Sequence, residues 1–482
     1  MFGAQRYAVP CFAGGTMNEL TINLRANSKT PLYEQIYSYI KENIQNGKIP
    51  YGEKLPSTRA LSKHLEVSRS TVELAYEQLV SEGYIESEAC RGYFVAEIEE
   101  LYHFEQIESS KEIETGVSKE SYKYDFTANG VDLKNFPYNT WRKLSKEVLL
   151  DDRLELFRSG DSKGEYSFRK AICTYLYQAR GVNCHPGQII VGAGNDYLLM
   201  LLCTLLEKDT VIGGENPAYK QAYRLFKSQS FKTVPVNMDR YGMKVSELRK
   251  AEADIAYVTP SHQYPTGVVM PIKRRLELLN WANEQEGRYI IEDDYDSEFR
   301  YKGKPIPALQ GYDRNGKVVY LGTFSKSIAP ALRLSYIVLP TSLLEIYEKK
   351  CRFLHTTVSK ADQFVVERFI EEGHFERHLN KTRALYKSRH DQLLNGLKPL
   401  MKQCRISGEN AGVHLLLTFE NGMEEEELIA LARKESICVY GLSDYIIKET
   451  ENDKPTILLG YANLTEQQIQ EACEILCKIW KK

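Results

Sequence analysis

Gly322-Thr-Phe-Ser-Lys-Ser-Ile-Ala-Pro-Ala-Leu-Arg333 follows directly on the apolar run Val318-Val-Tyr-Leu321. That run reads as a short strand of the fully buried type, and the stretch after it sets an amine, Lys326, between two serines, with the guanidinium of Arg333 seven residues on. Alone, such a stretch is an ordinary surface loop, because basic and hydroxyl residues near glycine are common. Three further segments change its meaning. Ile290-Ile-Glu-Asp-Asp-Tyr-Asp296 puts acids at the C-terminal end of another buried strand, where open α/β sheets keep their ligand crevice. Gly192-Ala-Gly-Asn195 is a glycine turn between strand and helix, whose backbone N–H groups can hold a phosphate. Asn216-Pro-Ala-Tyr219 adds an aromatic ring beside a turn.

Around these segments, from residue 124 onward, short apolar runs alternate with helical patterns. Gln188-Ile-Ile-Val191, Ile255-Ala-Tyr-Val258 and Tyr289-Ile-Ile291 are strands of the same buried kind as Val318-Val-Tyr-Leu321. This rhythm predicts an α/β domain with a mostly parallel sheet and helices on both faces. From about residue 350, long charged helices lead to the strand Val413-His-Leu-Leu-Leu417 and a final amphipathic helix over 466–480, a smaller α+β lobe spanning approximately 350–482. The most apolar stretch, Tyr197-Leu-Leu-Met-Leu-Leu-Cys-Thr-Leu-Leu206, is about half the ~20 residues a membrane crossing needs, and reads as a buried helix.

A chain of 482 residues with a net charge of -2 is too long for one core and has no global attraction to nucleic acid or an anionic membrane. Ten cysteines without a Cys-x-x-Cys pair suggest neither a zinc ribbon nor a disulfide framework, and reduced thiols in the cytoplasm fit best. Cys473 and Cys477, and likewise His374 and His378, share helix faces without further ligands nearby, so they read as packed or solvated positions, with no metal.

Residues 28–96 carry a different pattern. Pro31 opens a helix with Leu32, Ile36, Tyr39, Ile40 and Ile44 on one stripe, stopping at Asn46-Gly47. Ser57 caps a second helix with Leu61 and Leu65 inward, and Ser68 a third, with Val72, Ala75, Tyr76 and Leu79 inward. Tyr84-Ile85 and Gly92-Tyr-Phe-Val95 then bracket a polar turn, as the wing of a winged helix-turn-helix would. The flanks are predicted to be looser: a leader over 1–27, with Met17 an alternative start, and a self-repelling linker over 97–123, whose residues 97–122 hold eight glutamates against two lysines.

The segments at Gly192, Asn216, Ile290 and Gly322 together resemble the fold-type-I pyridoxal-phosphate proteins, the aspartate aminotransferase superfamily, over about 124–480. The resemblance implies pyridoxal 5'-phosphate as cofactor and Lys326 as its Schiff-base lysine. Asp293, with Asp294 as rival, would sit beside the pyridine nitrogen, Tyr295 at the ring's phenolic oxygen, and Tyr219 against the ring face. Ser325, Arg333 and the backbone at Gly194 and Asn195 would hold the phosphate. Two departures from the enzymes stand out. The usual Asn-Pro-Thr-Gly is replaced by His262-Gln-Tyr-Pro-Thr-Gly267, and Leu458, in Ile457-Leu-Leu-Gly-Tyr461, stands where the enzymes place an arginine for the substrate carboxylate.

Leu55-Pro-Ser-Thr-Arg59, Val67-Ser-Arg-Ser-Thr71 and Cys90-Arg-Gly92 resemble the GntR-type head, which implies that Arg59, Ser68, Arg69, Ser70 and Thr71 face DNA from the helices and Arg91 with Gly92 from the wing. Residues 27–96 are not basic, with eight Lys/Arg against nine Asp/Glu, so DNA binding rests on where the cations lie and on two heads acting together. Head, acidic segment and aminotransferase-like body in this order resemble the MocR subfamily of GntR regulators, including Thr259-Pro-Ser-His-Gln-Tyr-Pro-Thr-Gly267 and Ile291-Glu-Asp-Asp-Tyr-Asp-Ser-Glu-Phe299. That implies a cytoplasmic, head-to-tail homodimer on operator DNA that senses an amine or a B6 vitamer, with no membrane partner. The alternative is a working aminotransferase that carries a DNA-binding domain. In the GabR type, arginines gripping the effector's carboxylate fall on what are here Gln221 and Asp444. Losing two charge-assisted hydrogen bonds of ~1.5–3 kcal/mol each argues against γ-aminobutyrate as the effector.

Overall fold

The structure, a computed structural model, describes residues 28, 30–97, 121–150, 154–301, 306–409, 411–449 and 454–481, with Ile22, Leu24 and Arg25 ahead of them. The predicted leader and most of the predicted linker lie outside the described residues. Two compact units, Met1–Ser118 and Lys119–Lys482, divide the chain.

In the first unit three helices, α1 (Leu32–Gln45), α2 (Thr58–His64) and α3 (Arg69–Ser81), precede the hairpin of β1 (Ile85–Glu88) and β2 (Gly92–Val95). The caps are those the sequence announces: the Ser57 hydroxyl accepts from the Ala60 N–H, and the Ser68 hydroxyl from the Thr71 N–H. Ile36 and Ile40 of α1 meet Val72, Ala75, Tyr76 and Leu79 of α3 in a core with no solvent exposure. Cutting any of the larger ones to alanine costs about 2–5 kcal/mol. The hairpin pairs Ile85 with Val95 and Glu88 with Gly92, leaving Arg91 in the turn between the strands.

The second unit is built on a sheet whose seven main strands run, in spatial order, Ile189–Gly192, Ser335–Val338, Val318–Thr323, Tyr289–Asp294, Ile255–Val258, Val211–Asn216 and Lys232–Asp239. Only Ser335–Val338 opposes its neighbours; the others are parallel, and a short return at Gly242–Met243 closes the far edge. Helices cover both faces: Asn195–Leu205 packs among Ile190, Ile291 and Ile337 on one, and Leu176 lies with Val191 and Tyr320 on the other. Among the described residues no helix is long and apolar enough to cross a membrane.

The smaller lobe is a four-stranded antiparallel sheet in the order Cys404–Ser407, His414–Phe419, Thr456–Gly460 and Tyr440–Gly441, covered by Glu466–Ile479 and the end of His374–Leu397. It is narrower than length and charge suggest, because the helix Lys360–Glu371 buries Val365, Val366 and Phe369 in the core of the larger sheet. It also reaches backward in sequence. Tyr124–Asp125 pairs with Ile437–Cys438, and the Gly460 N–H bonds to the Phe126 carbonyl. A side chain at position 460 would meet the Thr127 carbonyl at 2.1 Å, so this crossing requires glycine.

Candidate functional site

The segments at Gly192, Asn216, Ile290 and Gly322 meet at the C-terminal edge of the parallel strands, and each contributes to one cavity of about 210 Å³. A single water needs roughly 10–15 Å³, so this space takes a small molecule. Its walls include Asn195, Tyr219, Asp293, Tyr295, Ser325, Lys326 and Arg333.

The Lys326 amine donates to the Ala128 carbonyl at 2.9 Å and to Asn129 Oδ1 at 3.2 Å. Burial pushes its pKa down to about 8, against a smaller opposing pull from the Asp296 carboxylate. Only the neutral amine attacks a carbonyl. Capture of an aldehyde by Lys326 is therefore expected to speed up about tenfold per pH unit below 8 and to level off above it, whereas an ordinary lysine would keep gaining to roughly pH 10.4. Stopped-flow absorbance over pH 6–10 checks this.

The alternation of strand Tyr289–Asp294 separates its two terminal acids. Asp293 faces the cavity, where Asn195 Nδ2 donates to it at 3.2 Å and the Tyr257 hydroxyl donates to its other oxygen. Burial raises its pKa to about 7. Asp294 points away, into a buried pair with Arg180 at 2.8 Å, and accepts the Tyr320 hydroxyl at 2.5 Å. Of the two acids, Asp293 is the one that faces the cavity, and Asp294 is spent on the scaffold.

At the opposite end, Arg333 adopts the left-handed conformation (φ 46°) and directs its guanidinium to Asp196 Oδ2 at 2.9 Å. Gly194 serves this end differently from the role expected of it. Its N–H is already bonded to the Gly192 carbonyl at 2.8 Å. What Gly194 contributes is space: at φ +93°, a Cβ there would lie 2.3 Å from Arg333 Nη2. Asn195 and Asp196 open the helix Asn195–Leu205, so their N–H groups are among the unpaired donors of a helix start. Ser325 lines the cavity on the same loop as Lys326.

Tyr295 meets His262 Nδ1 at 3.0 Å, and the same nitrogen lies 2.9 Å from Asp296 Oδ2. Burial raises the Tyr295 phenol well above its ordinary value. Tyr219 caps the helix Lys220–Ser228 with its ring in the cavity wall and its hydroxyl on Gln221. Gln221 and Asp444 do not line the cavity; both are exposed. Leu458, by contrast, is fully buried in a cluster with Tyr264 and Leu416, against which Tyr219 and Tyr295 pack. Asn129, Asp196, Thr259 and Tyr264 also line the cavity, though sequence reasoning gives them no role there. The turn signal Thr127-Ala-Asn-Gly130 is the one cue that points to Asn129.

An amine with a lowered pKa, a buried carboxylate, a phenol and a guanidinium at a helix start form a donor set that fits a flat phosphate-bearing aldehyde with a ring nitrogen. Asn195 Oδ1, buried without a partner, leaves one acceptor in that set unused.

In the first unit, Arg59, Ser68, Arg69, Ser70 and Arg91 are exposed. The Ser68 hydroxyl lies 2.9 Å from that of Ser70 and 2.7 Å from that of Thr71, so capping α3 occupies it. Arg69 Nε donates to Glu73 at 2.7 Å, and Arg91 pairs with Glu88 while lying over the Phe94 ring. Exposed pairs of this kind are worth about 0–1 kcal/mol, a small cost to release either arginine. Gly92 has φ +115°, which lets the turn approach the Lys54 side chain.

Residues 123–476 match the family described as "Aminotransferase class I and II", and residues 32–95 match "Bacterial regulatory proteins, gntR family". The chain is 39% identical over 464 residues to the uncharacterized HTH-type transcriptional regulator YdeL of Bacillus subtilis (strain 168), covering 96% of this chain and 100% of that one. To the probable rhizopine catabolism regulatory protein MocR of Rhizobium meliloti it is 29% identical, over 94% of each. Among solved structures, LysN, an α-aminoadipate aminotransferase from Thermus thermophilus complexed with N-(5'-phosphopyridoxyl)-L-leucine, shares the fold with a TM-score of 0.63 at 22% identity, over 74% of this chain and 91% of that one.

Proposed function

The chain belongs to the HTH-type transcriptional regulators of the MocR kind, a GntR head followed by a class I and II aminotransferase domain, and on that premise we propose that it binds pyridoxal 5'-phosphate at Lys326 and uses the occupied cavity to sense an amine for its DNA-binding head. The observation that carries this reading is the meeting, in one cavity, of a lysine shifted to about 8 and the buried Asp293, on a chain that also has a helix-turn-helix.

Bound there, the cofactor supplies an aldehyde for which Lys326 and a free amine compete. Lys326 provides the neutral amine, and Asp293 keeps a proton at the ring nitrogen. Tyr295, backed by His262 and Asp296, hydrogen-bonds the phenolic oxygen. Arg333, Ser325 and the helix start at Asn195 take the phosphate, and Tyr219 covers a ring face. An effector shifts the conformational equilibrium only by its differential affinity for the two states, so the amine must bind one arrangement of the body better. The acting form is a homodimer, head to tail, in the cytoplasm, with two heads on one operator. Borohydride reduction of the holoprotein and peptide mapping test the reading: the label is expected on Lys326, and a label elsewhere, or none, defeats it.

Arg69, at the first turn of α3, is proposed as the main base reader. Arg69→Ala is expected to weaken specific operator binding by about 1–3 kcal/mol, roughly fivefold to a hundredfold or more, with cofactor absorbance unchanged. Fluorescence anisotropy at fixed salt reads the first, and a visible spectrum the second.

A further inference from the structure

We infer that the part of the cavity beyond the cofactor's position takes a primary amine whose tail is aromatic or aliphatic and carries no carboxylate. This rests on the reading of Lys326 and its cofactor given above, and it names the effector class.

Two observations point to it. The first is the wall. Tyr264 lies in the cavity lining and is the hub of an aromatic cluster, with ring centroids 5.9 Å from Tyr219, 5.5 Å from Tyr295 and 5.3 Å from Tyr445, each edge to face. Behind it stand Leu416 and Leu458, fully or nearly fully buried. Edge-to-face rings backed by a buried apolar layer favour an aromatic or branched aliphatic group, and the Tyr264 hydroxyl is turned to that of Tyr445, 3.2 Å away.

The second is the charge. Among the described residues lining the cavity, the cations are Lys326 and Arg333 and the anions Asp196 and Asp293. Arg333 is paired with Asp196 and taken by the phosphate, and Lys326, once an amine displaces it, is an amine that burial holds toward its neutral form, so neither is a firm counter-ion for an effector's carboxylate. The other charged groups on the walls, Asp196 and Asp293, are carboxylates. A carboxylate entering against the buried Tyr264 would lose its water without gaining a counter-ion, which is costly. An uncharged tail loses little and gains contact.

Matched amines that differ only in the carboxylate decide the matter: 2-phenylethylamine against phenylalanine, and 3-methylbutylamine against leucine. Titrated into holoprotein and followed by the visible spectrum and by calorimetry, the member without the carboxylate is expected to bind at least tenfold tighter in each pair. Leu458→Arg puts a cation directly behind the Tyr264 wall and is expected to reverse that preference. Should that variant fail to fold, Tyr445→Ala at a half-buried position is expected to weaken 2-phenylethylamine about tenfold while leaving the cofactor spectrum alone. Equal or tighter binding of the carboxylated members overturns the inference, as does a holoprotein with labelled Lys326 that binds neither member. A protein whose Lys326 is not labelled at all overturns the cofactor reading beneath it, a distinct failure.

Discussion

Lys326→Ala is expected to abolish covalent capture of pyridoxal phosphate outright and to leave operator binding the same with and without added amines. The fold should survive. The wild-type amine makes two hydrogen bonds, to Ala128 and Asn129, and burial disfavours its charge. Losing two ordinary bonds of about 0.5–1.5 kcal/mol each is offset by relief of that charge, so the apoprotein's stability should move by less than about 1 kcal/mol. Arg333 and the helix start at Asn195 remain, so the variant should still hold the cofactor loosely through its phosphate. Loose binding without a borohydride-stable adduct, together with an operator affinity indifferent to amines, is the expected pair of results. An unchanged amine response in Lys326→Ala would mean that the signal does not pass through this nitrogen.

Arg180→Ala is expected to be the most destabilising single change in the second unit's core, at about 3–5 kcal/mol. Arg180 is buried, holds Asp294 through Nε at 2.8 Å and Nη2 at 3.2 Å, and donates to Ser261 Oγ at 2.6 Å and to the Ile306 carbonyl. Its removal strands the Asp294 carboxylate with the Tyr320 hydroxyl as its remaining donor among the described residues, and leaves the Ser261 segment untied. Arg180→Ala/Asp294→Ala should recover part of the loss, because no unpaired charge is then left inside, and chemical denaturation of the set gives the coupling energy. Since Asp293 is next in the chain, cofactor affinity should fall along with stability in the single variant. A loss below about 1 kcal/mol would show that water reaches the pair.

Much of this arrangement is legible in the sequence because the buried parallel strands are short apolar runs with glycine or acid at their ends. Ile255–Val258 is bounded as its apolar letters are, and the acids after Ile291 fall at the crevice as strand alternation requires. The strands Val211–Asn216, Lys232–Asp239 and Ser335–Val338 are harder to see. The first carries Gly213, Gly214 and the buried Glu215, the second has Pro235 and polar neighbours near the sheet edge, and the third opens on the polar but buried Ser335. Tertiary packing, rather than local pattern, makes them strands. Arg180 is invisible for another reason: at the end of a helix it reads as a solvated cation, and only the fold shows that the helix stops against Asp294. Asn129 lies almost 200 residues from Lys326, and only the pairing of 124–125 with the far lobe brings them together.

Thr323 and Ser335 are register partners on antiparallel strands, and the Phe324 N–H bonds to the Leu334 carbonyl at 2.9 Å. Ser325, Lys326 and Arg333 therefore ride one excursion of chain pinched shut at its neck. On the proposed reading, the groups offered to the aldehyde and to the phosphate therefore hang from the same closed neck. Any rearrangement that an amine provokes must come from parts that meet this excursion from outside, such as the Ala128 and Asn129 strip contributed by the smaller lobe's own sheet partner, and a crosslink fixing that strip would silence the signal while sparing cofactor capture.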